Sequence, residues 1–173
     1  MPDKRLPLAY LITYTCYGTR LHGNDAGSFQ NKRFVKHNEG LERYERGLMK
    51  QESYRLDAGK AAIALASMHE TSAYRKWVLL ACHLDNTHVH MVVIASDDPK
   101  RVIGDMKSYS SRALTRSGCD SSTRKRWTSG GSARYLWDNE AVLESVDYVV
   151  NKQGKPLAAY KNPELIKILE QIR

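Results

Sequence analysis

The chain has 173 residues, 42% of them hydrophobic, which is enough for one domain with a real core and hardly for two. Lys and Arg number 27 against 19 Asp and Glu, and the formal charge of +8 points to a polyanionic partner without identifying it. Three cysteines (Cys16, Cys82, Cys119) leave one unpaired and lack metal-ligand spacing, no run of 18 apolar residues spans a membrane, and Met1-Pro2-Asp3-Lys4-Arg5 leads into no signal-peptide core; a cytoplasmic protein without membrane contact is expected.

Residues 8–17 are rich in β-branched and aromatic side chains, contain no Gly or Pro, and stop at Gly18, which predicts a central strand. Residues 18–54 are charged, glycine-containing and poorly periodic, as expected of a functional loop or of short helices. Asp57 is placed to cap a helix over 58–72, where Ala61, Leu65 and Met68 recur at helical spacing. Residues 77–84 and 88–94 then read as an antiparallel hairpin around the turn Asp85-Asn86-Thr87. A second helix starts at Asp98-Pro99, carries the stripe Val102, Met106, Tyr109, Ala113 and Leu114, and ends at Gly118. After a polar stretch over 119–131, residues 134–137 form a short strand candidate. Asp138 caps a third helix that runs to about Lys152 and is stopped by Gly154 and Pro156. Residues 163–173 place Leu165, Ile168, Leu169 and Ile172 at helical spacing, an amphipathic tail helix that must cover either this domain or a second copy. The order, approximately β-α-β-β-α-β-α-α, predicts a single α+β domain over 1–173 with helices packed on an antiparallel sheet.

Three features can carry chemistry. In His88-Val89-His90 the two imidazoles leave one face of a strand side by side, a two-ligand half-site that suits Mn, Mg, Co or Zn once further ligands join. The pair follows a tight turn and precedes the apolar residues 91–94, which puts it at the rim of a buried sheet, and His83 lies in the same hairpin. On the third helix Val142, Val146, Val149 and Val150 cluster within about 100°, whereas Tyr148 lies roughly 150° from the centre of that stripe. An aromatic on the polar face is either a partly exposed packing residue or a nucleophile, and a phenol with an ordinary pKa near ~10 needs help to attack phosphorus at neutral pH. Residues 100–126 hold eight basic and two acidic residues, so most of the excess charge is local. Lys107, Arg112, Arg116, Arg124, Lys125 and Arg126, interleaved with Tyr109 and Trp127, suit a single strand that presents both phosphates and bases.

His88-Val89-His90 after Asp85-Asn86-Thr87, with Tyr148 in Val146-Asp147-Tyr148-Val149-Val150-Asn151-Lys152-Gln153-Gly154 downstream, resembles the HUH single-tyrosine transposases, including the REP-associated tyrosine transposases. The opening strand Tyr10-Leu11-Ile12-Thr13-Tyr14, the Tyr17-Gly18-Thr19 and Leu21-His22-Gly23 stretches and Tyr135-Leu136-Trp137 are also similar, so the likeness spans about residues 8–160. The resemblance implies a ferredoxin-like HUH endonuclease core with both histidines on a central strand. It also implies a divalent metal, Mg or Mn, and metal-dependent cleavage and rejoining of hairpin-bearing single-stranded DNA through a 5′-phosphotyrosine on Tyr148. A third ligand is expected about one turn beyond the tyrosine. Ideal helix geometry favours Asn151, about 60° from Tyr148, but the Gln153-Gly154 pattern of related sequences makes Gln153 the chosen ligand beside His88 and His90. The alternatives are a regulatory DNA-binding protein that keeps the fold without turnover and a relaxase or replication initiator with the same chemistry. A homodimer, with the tail crossing to a partner, is compatible with strand exchange between two DNA ends.

Overall fold

A computed structural model describes residues 6–23, 28–30 and 33–172; the stretch 1–5, read above for a leader, and Arg173 of the tail lie outside the described residues. The fold is α+β. Strands β1 (Ala9–Thr15), β4 (Val78–Leu84), β5 (His88–Ile94), β6 (Ser132–Leu136) and β7 (Ala158–Lys161) form one sheet in the order β6-β1-β5-β4-β7, every neighbouring pair antiparallel. Inside 18–54, where the sequence shows only a poorly periodic stretch, the chain builds a two-stranded ribbon from β2 (Ser28–Gln30) and β3 (Arg33–Val35) and a helix α1 (Glu39–Leu48). Helix α1 buries none of its residues and is started by Asn38, whose side chain accepts from the Leu41 N–H, so it carries no apolar stripe for periodicity to detect.

The remaining helices divide between the two faces of the sheet. Helices α2 (Ala58–Arg75) and α3 (Pro99–Arg116) seal one face: Ala61, Ala64 and Met68 with Val102, Ile103 and Met106 pack on Ile12, Tyr14, Val89, Met91 and Val93. Helices α4 (Asn139–Asn151) and α5 (Leu165–Gln171) take the other: Val142, Val146, Val149, Leu165 and Leu169 close over Ala9, Leu80, Ala81, Val92 and Leu136. Each of α2, α3 and α4 starts where its aspartate was expected, with Asp57, Asp98 and Asp138 accepting from the N–H of Lys60, Lys100 and Ala141. The tail helix therefore covers its own sheet. Strand β7 has no counterpart in the predicted order; it is a four-residue edge strand, Ala-Ala-Tyr-Lys, that pairs only with β4.

The α4 face is apolar at one end only. Because side chains alternate along a strand, opposed residues of neighbouring strands share a face. Beneath α4 the row of Ala9 and Leu136 is followed by that of Leu11, Val92 and Arg134, then by Thr13, His90 and Ser132, and then by Thr15 and His88. A β-bulge between Leu79 and Ala81 resets β4, so that Leu80 and Ala81 both face α4 and His83 falls opposite His90. Without that extra residue His83 would point toward α2.

Candidate functional site

The polar end of this face brings the sequence-predicted residues together. The His88 and His90 rings are stacked with centroids 6.0 Å apart and planes 16° apart, as expected of positions i and i+2. The Tyr148 ring stands edge-on to His90 at 6.3 Å and 88°, and the residue is 42% exposed. Tyr148 thus sits where α4 ends its apolar contact, off the buried stripe of Val142, Val146 and Val149 but against the histidine pair. His83, expected only to lie near the turn, is fully buried with its ring 6.3 Å from His90 and with neither ring nitrogen hydrogen-bonded.

Both members of the His pair are oriented through Nδ1. The Thr13 hydroxyl shares a 2.9 Å hydrogen bond with His90 Nδ1, and the Thr87 hydroxyl shares one of 2.6 Å with His88 Nδ1, which also lies 3.4 Å from the Asp85 carboxylate. Asp85 in turn accepts from the N–H groups of Thr87 and His88, each at 2.6 Å, and so fixes the turn that launches the strand. Burial opposes its ionisation, but those two N–H groups and the neighbouring His88 overcome it and hold the carboxyl below its ordinary value. The pKa of His90 is pushed down to about 4 by burial first, then by its neighbours His88, His83 and Arg20, so its imidazole is neutral near pH 7. Rings fixed through Nδ1 and left with Nε2 outward are what a metal-binding imidazole requires. The pair fits a two-imidazole half-site. Among the described residues, however, no group of three or more His, Cys, Asp or Glu side chains converges to hold a metal ion.

The two proposed amide ligands have other partners. Asn151 donates to Asp147 Oδ1 at 2.7 Å, and the half-buried Gln153 donates to the Tyr148 carbonyl at 3.4 Å across the end of α4. An open cleft of ≈ 750 Å³ lies beside the tyrosine, bounded by Leu11, Thr13 and Arg134 of the sheet and by Leu143, Asp147, Tyr148 and Lys152 of α4. Arg134 was not singled out by sequence. Its signal is its register opposite Leu11, visible only once β6 is paired with β1.

The six basic residues expected to meet DNA separate into two sets. Arg112, Arg116 and Lys125 are exposed, with the Arg112 guanidinium 4.3 Å from the Tyr109 ring centre and the Lys125 ammonium 5.4 Å from that of Tyr17. The other three are tied into the protein. Arg126 is 4% exposed and pairs with Asp120 at 3.5 Å, Arg124 donates to Gln51 and to the carbonyls of Glu52 and Ser53, and Lys107 donates to the carbonyls of Thr128 and Gly130. Burial lowers the Lys107 pKa to about 8. Helix α3, with Lys107, Arg112 and Arg116, lies on the sheet face opposite the histidines.

No protein-family model and no curated protein matches the chain. Among solved structures, the chain is similar to a REP-associated tyrosine transposase bound to a REP hairpin, with 11% identity and a TM-score of 0.47, over 86% of this chain and 70% of that one.

Proposed function

We propose that the protein is a transposase-type nuclease and strand transferase of the HUH class, acting on hairpin-bearing single-stranded DNA. The observation that carries this reading is the edge-on Tyr148 ring 6.3 Å from His90, at the mouth of an open cleft and beside the stacked His88. In this reading His88 and His90 hold a divalent ion, Mg or Mn, through their outward Nε2 atoms, with the Gln153 amide, or its rival Asn151, as third ligand. The ion supplies Lewis-acid stabilisation of charge at the scissile phosphate. Thr13, Thr87 and Asp85 keep both imidazoles in their ligating orientation. Tyr148 gives up its phenolic proton to solvent water and attacks phosphorus; the P–O3′ bond breaks, the 3′ oxygen leaves and takes up a proton from water, and the DNA 5′ phosphate stays on the tyrosine. The 3′-OH of a second strand reverses the step, so no nucleotide cofactor is consumed. The phosphodiester energy is held in the phosphotyrosine bond.

A second reading, a DNA-binding regulator without turnover, is favoured by the engagement of both candidate amide ligands elsewhere, Asn151 with Asp147 and Gln153 with the Tyr148 carbonyl. One experiment separates the two. Incubation with labelled hairpin-bearing single-stranded DNA and Mn or Mg, followed by a denaturing gel, is expected to show a covalent adduct that Tyr148→Phe abolishes while DNA binding is retained. An adduct that survives in Tyr148→Phe refutes the nucleophile, and binding without any adduct in the wild type supports the regulator.

A further inference from the structure

A smaller pocket of ≈ 170 Å³ adjoins the Tyr148 cleft at Thr13, which lines both. Its walls are Thr13 and Thr15 of β1, Arg20, and the segment from Thr128 to Ser132; no carboxylate lines it. At that size it lies below the roughly 300–1,000 Å³ of pockets that enclose whole small molecules, and it suits a phosphate group rather than a nucleoside.

The donors of this pocket are unspent. Thr15 donates its hydroxyl proton to Thr128 Oγ1 and Thr128 donates to the Cys16 carbonyl, so these two hold the wall in shape. The Arg20 guanidinium and the Ser129 and Ser132 hydroxyls have no hydrogen-bond or ion-pair partner among the described residues, and neither do the N–H groups of Ser129, Gly130 and Gly131. The backbone there is built for close approach: Gly130 has φ +73°, and a Cβ on Gly131 would lie 3.1 Å from the Thr13 carbonyl oxygen. Lys107 holds the loop through the carbonyls of Thr128 and Gly130, and so takes up acceptors of the segment and none of its N–H donors. A guanidinium, two hydroxyls and consecutive free N–H groups make a donor set for a tetrahedral dianion or a phosphodiester.

We infer that the pocket of Arg20, Ser129, Gly130, Gly131 and Ser132 is a phosphate subsite, and that it seats the DNA phosphate next to the one attacked by Tyr148. The second part rests on the strand-transfer reading of the adjoining cleft. Arg20 is a positioning residue in this scheme: it fixes the register of the strand and touches no reacting atom. Inorganic phosphate tests the pocket without DNA. Titrated into ¹⁵N-labelled protein, it is expected to move the Ser129, Gly130 and Gly131 amide resonances saturably, and Arg20→Ala is expected to abolish the shift. Unmoved amides, or equal movement in Arg20→Ala, overturn the subsite.

The DNA assignment is read in the Tyr148→Phe background, where nothing is cleaved. A neutral methylphosphonate in place of the neighbouring phosphate is expected to weaken hairpin DNA binding roughly tenfold when Arg20 is present and not in the Arg20→Ala protein. Equal losses in both proteins overturn the placement of DNA in the pocket. Phosphate binding in a protein that binds no hairpin DNA supports the subsite with free phosphate as its ligand and refutes the strand-transfer reading instead.

Discussion

At His90 the ring is held by Thr13 at Nδ1 and crowded by His88 and His83, and burial together with these neighbours brings its pKa down to about 4. A histidine with an ordinary pKa near ~6.5 in the unfolded chain and a depressed one in the fold makes the unfolded state the better proton acceptor below that value. The stability owed to its neutrality is therefore complete above about pH 6.5 and is lost as the pH falls toward about 4. Between pH 7 and pH 5 the loss from this residue is on the order of 2 kcal/mol. Urea unfolding in EDTA at the two pH values measures it, and His90→Asn is expected to flatten the difference; a midpoint equally pH-dependent in that variant would assign the effect elsewhere. The same neutrality keeps a lone pair on the ring for a ligand, so one environment sets both stability and chemistry here.

At the scale of elements, the placement of Tyr148 depends on how α4 begins. Asp138 accepts from the Ala141 N–H at 2.8 Å, and the helix it starts carries Val142, Val146 and Val149 onto the sheet. Asp138→Ala is expected to lower unfolding free energy by about 1 kcal/mol, with Asp138→Asn close to wild type, both read from chemical denaturation. A loss equally large in Asp138→Asn would implicate the charge rather than the cap. Caps of this kind, like the apolar stripes of α2, α3 and α4 and the hairpin of 77–84 and 88–94, were legible in the sequence because they are local. His88, His90 and Tyr148 were legible for the same reason, each from its own strand or helix period. Three parts were not legible. The β4 bulge shifts the alternation by one residue with no glycine or proline to announce it, so His83 could be placed in the hairpin but not opposite His90. Strand β7 is too short and too rich in alanine to register as a strand, and Arg134 and Arg20 enter the site through pairing and loop geometry rather than through any spacing of their own.

Taken whole, the molecule separates its two sheet faces by role. One is sealed by α2 and α3 over Ile12, Tyr14, Val89, Met91 and Val93, whereas α4 and α5 pack on the apolar end of the other and leave Thr13, Thr15, Ser132, Arg134 and His88 beyond their apolar contacts. The exposed cations Arg112 and Arg116 belong to the sealed side. A strand bound only in the Tyr148 cleft cannot reach them without passing around an edge of the sheet, and this gives the DNA reading a length threshold. Short oligonucleotides confined to the cleft are expected to bind with the same salt dependence whether or not Arg112 and Arg116 are replaced by alanine. Longer ones that round the edge should lose about 0.7 from the slope of log K against log salt for each phosphate contact removed. Fluorescence anisotropy across a ladder of lengths locates the crossover, and a slope that ignores both substitutions at every length would confine the nucleic acid to one side of the sheet. Where a crossover is found, the sheet that sets Tyr148 beside His90 also acts as a ruler, converting the path around its margin into the shortest DNA that the protein holds with its full charge.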